Sequence, residues 1–280
     1  MCHPEARFLK LFPRLLLSPA LEVIRHRALI RELTRREIGG RYRGASLGVL
    51  WSLASPFILL CIYTFAFGTV MGGRWPEPQA TGTHFSVVLF AGLVVYFLVS
   101  ECMVRAPDLV IGNPSFVKRV VFPLEILPWP MLLTACFHCL MNTLVFIALR
   151  LVLDGEFSWT IVMLPIVLAP MALVALGISW LLASLAVYMR DIQQVIGMAS
   201  MALLFLSSVM IPTTSVPAEY RWVYQLNPLS FIVDQARAVM IWGVQPDWKG
   251  LFFYSLGAVA FMYVARAWFV ATKRGFADVL

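Results

Sequence analysis

The amino-acid sequence predicts an all-α integral membrane protein with six transmembrane helices, and three observations carry that prediction. Hydrophobic residues fill 60% of the 280 positions and charged residues only 13%, against about 25% charged in soluble domains. A water-facing globule of this size has too few polar side chains to cover itself. The apolar residues also fall into charge-free windows of membrane-spanning length, and the basic residues gather on one side of those windows. At roughly 100 to 200 residues per domain the length admits two domains, but the apolar runs continue across nearly the whole chain and read as one membrane unit.

The windows locate the spans, because a Lys, Arg or Asp at a span centre costs roughly 2.5 to 3.5 kcal/mol. Residues 44 to 73 hold no charge over 30 positions, 78 to 100 none over 23, and 126 to 149 none over 24. Residues 157 to 189 give 33, 192 to 218 give 27 and 250 to 265 give 16. A spanning helix needs about 20 residues, so the sixth qualifies if Arg266 snorkels toward an interface and the helix continues to about Thr272. The expected spans are about 49–72, 84–104, 126–151, 160–188, 192–211 and 250–271, within a membrane domain of residues 46–272. Residues 1–45 form a cytoplasmic N-terminal amphipathic or interfacial region, and 273–280 a cytoplasmic tail.

Orientation follows from the 22 basic residues, since retained Lys and Arg mark the cytoplasmic side. Ten of them precede the first span, from Arg7 to Arg43. With both termini cytoplasmic, 16 lie inside, while Arg74, Arg150, Arg221, Arg237 and Lys249 make five outside. The excess accounts for a pI of 9.4 without any nucleic-acid partner. Near the N-terminus, Phe8, Leu11, Phe12, Leu15 and Leu16 share one side of a helical wheel and Arg7, Lys10 and Arg14 the other, the pattern of a helix lying on a bilayer. Pro13 and Arg14 break the run and no small-residue cleavage site follows, so it reads as part of the mature chain and not as a targeting segment. Leu21 to Ile38 is denser in charge, and is either interfacial or packed on a partner.

Enzyme chemistry finds little to work with. Cys136, His138 and Cys139 are close on one helix, but a zinc site needs four ligands, so no metal is expected and His138 reads as a helix-packing histidine. The acids sit at span edges or in loops, as Glu101, Asp108, Glu125, Asp154 and Asp191 do. Paired mid-span acids are what a membrane hydrolase or a proton relay would need, and the sequence offers none. It also carries no Gly-x-x-x-x-Gly-Lys-[Ser/Thr] phosphate loop, so ATP hydrolysis is expected on a separate subunit and no cofactor on this chain. Two rivals of other classes remain, a secondary transporter and a membrane-embedded transferase, neither with positive support.

Four ordered motifs carry a resemblance. Arg41-Tyr-Arg-Gly-Ala-Ser-Leu-Gly-Val-Leu-Trp51, with Pro56 and Tyr63-Thr-Phe-Ala-Phe-Gly68 behind it, resembles the start of the first membrane helix of ABC-2 type permeases that export polysaccharides and polyol phosphates. Asn113-Pro-Ser-Phe-Val-Lys-Arg-Val-Val-Phe-Pro-Leu-Glu-Ile-Leu-Pro128 is similar to that family's cytoplasmic loop, Tyr188-Met-Arg-Asp-Ile192 to its next cytoplasmic turn, and Asn227-Pro-Leu-Ser-Phe231 to the external segment before the last helix. The likeness covers about residues 30 to 270.

The resemblance implies a permease subunit of an ATP-driven exporter in the bacterial cytoplasmic (inner) membrane. Its implied partners are a second copy of itself, two copies of a cytoplasmic ABC ATPase that holds ATP and Mg, membrane lipids and a lipid-linked, undecaprenyl-type polysaccharide. O-antigen, capsular polysaccharide and teichoic acid exporters share these motifs, and the long basic N-terminus leans toward the O-antigen or teichoic-acid branch.

Individual residues take expectations from pattern and resemblance together. Arg41, Tyr42 and Arg43 stand at headgroup level, as interfacial anchors or as the cytoplasmic entrance that contacts an anionic lipid carrier. Gly44 and Gly48 form a small-x-x-x-small pair suited to close helix approach, and Pro56 interrupts the first span. Trp51, Tyr63, Phe65 and Phe67 are candidate channel residues, because aromatic faces stack on sugar rings without one fixed hydrogen-bond pattern; core or interfacial packing is the other reading. The resemblance makes the loop of Asn113, Ser115, Phe116, Lys118 and Arg119 a coupling helix for the ATPase. Arg190 and Asp191 mark a cytoplasmic turn, either a structural pair or a gate. Asn227, Pro228, Asp234 and Arg237 belong to an external segment expected to form re-entrant gate helices.

Overall fold

The computed structural model describes residues 19–70, 82–117 and 122–279, and among these every regular element is helical. The amphipathic run from Phe8 to Leu17, Arg74, Lys118 and Arg119 lie outside the described residues. Helices α1 (Pro19–Arg25) and α2 (Arg27–Arg41) lead into α3 (Trp51–Tyr63), which passes into a π-helical turn, Thr64–Val70. There follow α4 (Phe85–Arg105), the short α5 (Asp108–Ile111) and α6 (Pro114–Val117), α7 (Pro128–Leu153), α8 (Leu164–Tyr188) and α9 (Ile192–Phe205). The chain ends with α10 (Arg221–Leu226), α11 (Pro228–Met240), α12 (Trp248–Thr272) and α13 (Phe276–Val279).

α4 is the central helix. Residues Ser86 through Val95 are all buried, as expected of a helix that is apolar all round and packed on every side. It contacts α7, α8, α9 and α11. Against α8 lies α12, brought close at Gly177, where a β-carbon would come within 2.8 Å of the Phe261 ring and 3.3 Å of the Met262 Cα. By contrast α3 is peripheral: it buries Ser52, Pro56 and Leu60 and leaves Phe57, Ile58 and Ile62 exposed.

Five helical stretches are long and apolar enough to cross a membrane: Gly48–Ala66, Phe85–Arg105, Leu124–Leu153, Trp159–Tyr188 and Trp248–Val279. The remaining stretch expected to span, 192–211, holds α9, which has 14 residues and rises about 21 Å at 1.5 Å per residue. That is short of a hydrocarbon core of about 30 Å. The α10–α11 hairpin closes on its end. The Tyr224 hydroxyl donates to the Phe205 carbonyl at 2.9 Å, Asn227 Nδ2 to the Leu206 carbonyl at 2.9 Å, and the Ser208 hydroxyl to the Ser230 carbonyl at 3.1 Å. The first two of these bonds satisfy carbonyls that the terminating α9 leaves open.

Other expectations are corrected by where the side chains go. Gly44 and Gly48 have φ of +84° and +53° and no described atom within 4 Å of a β-carbon built on either. They turn the chain between α2 and α3, a use that needs the left-handed region, and bring no helices together within this chain. Arg266 does not snorkel: it is 2% exposed and bonded to Glu22 of α1, with Nε 3.3 Å from Oε2. Arg150 and Arg237, counted as far-side loop charges, are 4% and 1% exposed and clamp backbone carbonyls, so neither reports which side of the membrane its loop occupies.

Those contacts distinguish two ends of the bundle. At one, Arg150 donates to the carbonyls of Met240 and Ile241 at 2.8 and 2.6 Å, and Thr160 to that of Val239 at 2.6 Å, capping the C-terminus of α11. At the other, α2 lies across the ends of α4 and α7, and Lys273 pairs with Glu125. The tail docks there too, with Phe276 fully buried against Phe269 and the Tyr188 hydroxyl donating to the Thr272 carbonyl at 2.9 Å.

Candidate functional site

The densest group of titratable side chains among the described residues sits where α2, α4 and α7 meet. Arg41 is the last residue of α2 and Tyr42 its C-cap. Glu101 and Arg105 are one turn apart at the end of α4, and His138 projects from α7. The Glu101 carboxylate is the hub. It accepts from Arg41 Nη1 at 2.5 Å, from Arg105 Nη1 at 3.1 Å and from His138 Nδ1 at 2.7 Å. His138 Nε2 lies 3.0 Å from the Tyr42 hydroxyl, which fixes the ring between carboxylate and phenol. Arg105 turns its other nitrogen to Glu37 on α2. Burial pushes the Tyr42 hydroxyl above the ordinary tyrosine range, with Arg41 opposing and Glu101 reinforcing the shift.

This cluster forms one wall of a cavity of about 450 Å³, whose lining also includes Trp51, Ser52, Ser100 and Asn142. Glu101 and His138 are each 13% exposed, whereas Arg41 is 51% exposed. Two guanidinium groups, an imidazole and several hydroxyl and amide groups gather around the Glu101 carboxylate, with a second carboxylate, Glu37, on Arg105. Of the two guanidinium groups, Arg41 is the more exposed and suits the recognition of an anion, because a guanidinium fork matches phosphate oxygens two at a time. Arg43 is exposed and does not line the cavity.

A second cavity of about 460 Å³ lies beyond Arg105, between Arg36 and Glu37 of α2 and Asp108, Asn113 and Phe116 of the loop. Asn113 donates to the Leu109 carbonyl at 3.1 Å and so closes α5. Phe116 stacks on Phe122, ring centroids 4.4 Å apart and planes 8° from parallel, which pins the base of the loop. Ser115 is exposed. Arg105 therefore belongs to both cavities and joins the charge cluster to this loop.

The remaining expected residues are spread along the molecule. Trp51 lines the first cavity, Tyr63 packs against the core twelve positions on, and Phe65 is 65% exposed in the π-helical turn. Phe67 lies in that turn, with its side chain outside the description. Arg190 and Asp191 are exposed in the turn between α8 and α9, and among the described residues they form no ion pair with each other. Asn227 caps α11, its Oδ1 accepting from the Leu229 amide at 2.9 Å, with Pro228 in the first turn. Asp234 is 3.7 Å from Arg237, but the guanidinium is chiefly engaged by the carbonyls of Val88, Ser208 and Val209 at 3.1, 2.6 and 2.8 Å.

Sequence reasoning gave no role to Glu37, Glu101 or Arg105 and took His138 for packing, although these build the cluster. A signal was present: Glu101 and His138 are ionisable groups in two apolar segments, and such groups are costly enough in lipid to be read as functional. The pairing itself, across 37 positions, has no local signature.

Comparison with known proteins places the chain in a class. Residues 28–241 match the family described as ABC-2 type transporter, and the chain belongs to that family. Among its relatives is the O-antigen export system permease protein RfbA of Myxococcus xanthus, 23% identical over 259 residues, covering 92% of this chain and 97% of the relative. The protein of the same name from Klebsiella pneumoniae is 23% identical over 254 residues, covering 90% and 95%. The polysialic acid transport protein KpsM of Escherichia coli is 26% identical over 248 residues, covering 85% and 91%.

Proposed function

We propose that this chain is the permease subunit of an ATP-driven exporter that carries a lipid-linked polysaccharide across the bacterial cytoplasmic membrane. Membership of the ABC-2 type transporter family and relatives named for O-antigen export and polysialic acid transport support the substrate class. The observation that carries the reading is the cavity of about 450 Å³ in which Arg41, Arg105, Tyr42 and His138 stand beside Trp51. It offers cationic forks for the diphosphate of a polyprenyl carrier and an aromatic face for the first sugar.

In this reading both termini are cytoplasmic, residues 1–45 lie at the membrane surface and residues 46–272 form the transmembrane domain. Two copies enclose the lumen, as closed two-fold assemblies commonly do, with Trp51, Tyr63, Phe65 and Phe67 along the path. Two copies of a separate ATPase, loaded with ATP and Mg, engage the loop of Asn113, Ser115, Phe116, Lys118 and Arg119. Arg105 supports this coupling, since one side chain touches both that loop's cavity and the charge cluster. Arg190 and Asp191 shape the cytoplasmic mouth. The segment of Asn227, Pro228, Asp234 and Arg237 closes the external side, a role supported by the way α11 docks on the end of the short α9.

The test is affinity purification of the full chain from its native membrane. Co-purification of a P-loop ATPase whose hydrolysis rate responds to the permease is expected. A monomer that binds no such subunit overturns the reading.

A further inference from the structure

The charge cluster contains an anion of its own. Glu101 is the acidic residue in the lining of the first cavity, and its carboxylate sits within 2.5 Å of Arg41 Nη1. Arg105 has a second carboxylate at hand in Glu37, whereas the ion pair of Arg41 is with Glu101. His138, only 13% exposed, holds both oxygens of the carboxylate through Nδ1, at 2.7 Å from Oε2 and 3.0 Å from Oε1. Glu101 is thus anchored by α7 and by Arg105, and the oxygen they hold is shared with the half-exposed guanidinium of Arg41.

We propose that Glu101 is a resident counter-anion that competes with the substrate's diphosphate for Arg41, and so sets how tightly the headgroup is held. This rests on the reading that the cavity receives the headgroup. A diphosphate entering beside a fixed carboxylate is attracted by two guanidinium groups and repelled by the carboxylate at short range. When Arg41 swings to the phosphate, Glu101 keeps Arg105 and His138 as partners. When the lipid moves on, Glu101 recovers Arg41. A translocation pathway must bind strongly enough to admit its cargo and weakly enough to release it, and an internal competitor produces that balance without removing the cationic forks that confer recognition.

The competing description is that Glu101 merely fastens α2 to α4 and α7. The two differ in sign. If Glu101 competes, removing its charge strengthens anion binding; if it only positions Arg41, removing its charge lets Arg41 wander and weakens binding.

The experiment uses the full chain in lipid nanodiscs and measures binding of a polyprenyl diphosphate, with inorganic pyrophosphate as displacing ligand. Glu101→Gln is expected to tighten polyprenyl diphosphate binding by about threefold to tenfold, the range of a partly exposed charge pair, while Arg41→Gln weakens it. Weaker or unchanged binding in Glu101→Gln together with weakening in Arg41→Gln overturns the counter-anion role and leaves the headgroup site standing. Unchanged binding in Arg41→Gln overturns the headgroup site and this inference with it. Displacement by pyrophosphate as effective as by the lipid supports the counter-anion role but assigns the anion to a soluble phosphate. Should Glu101→Gln fail to fold, Glu101→Asp, whose carboxylate is drawn back by one methylene, is expected to tighten binding by a smaller factor. Weaker binding in that variant overturns the proposal.

Discussion

The guanidinium of Arg237 occupies the space that Gly92 leaves open: a β-carbon at position 92 would lie 2.8 Å from its Nη2 and 3.2 Å from the Val209 Cα. The glycine on α4 and the arginine on α11 are therefore one device. The missing side chain admits a charged group to the centre of the bundle, where three carbonyls from α4 and the 206–209 turn receive it.

Gly92→Ala is expected to destabilise the protein by about 1–3 kcal/mol, the usual cost of overpacking. Arg237→Met is expected to cost about 3 kcal/mol or more, since it leaves the buried carbonyls of Ser208 and Val209 without their guanidinium donors. Thermal unfolding of the purified protein measures both. An unchanged midpoint in Gly92→Ala would show that α11 does not press on α4 as described.

Arg150 plays a similar part at the C-terminus of α11. It meets the negative end of that helix with a buried charge, a placement favoured by up to about 2 kcal/mol in partly buried geometries. Arg150→Gln is expected to loosen the 241–247 segment, read as faster hydrogen exchange there, with Arg150→Lys in between. Uniform protection in all three proteins would contradict the capping role.

The pair of Glu22 and Arg266 gives a third expectation. Removing one partner of a buried pair leaves an uncompensated charge and costs about 3–5 kcal/mol, whereas replacing both with apolar groups is often close to neutral. Arg266→Met alone should therefore unfold at lower temperature than the double variant Glu22→Met with Arg266→Met. Equal losses in both would show that α1 gains nothing from this contact.

Tyr42 bears on alkaline stability. Its hydroxyl titrates above the ordinary value because of burial beside Glu101. The folded state thus keeps a proton that the unfolded chain loses near pH 10. The associated stability is complete below about pH 10 and is lost as pH rises through the folded value. Tyr42→Phe is expected to flatten that part of the stability profile between about pH 9 and 11; an unaltered profile would place the hydroxyl in water.

Much of the helical framework was legible in the sequence, because apolar windows report directly on what lipid tolerates. The end of α9 was not. Window 192–218 is free of charge, yet Ser207, Ser208 and Pro212 are uncharged residues that let a helix stop. Freedom from charge measures compatibility with lipid and says nothing of helical continuity. Arg150 and Arg237 were read only as far-side loop charges, and their bonds to carbonyls went unseen for a related reason: a charge in an expected loop looks the same in sequence whether it meets water or a ring of carbonyls. Arg41 and Tyr42 were singled out from their position before the first span, but Glu101 and His138, contributed by two other helices, become their neighbours only once α4 and α7 pack.

The brevity of α9 reaches past the protein into its solvent. About 21 Å of helix against a hydrocarbon depth of about 30 Å leaves the charge-free residues after Phe205 to complete a crossing without helical hydrogen bonds, and lipid offers none in their place. The α10–α11 hairpin supplies them through Tyr224 and Asn227, so any movement of that hairpin is tied to whatever water or protein group takes over those carbonyls.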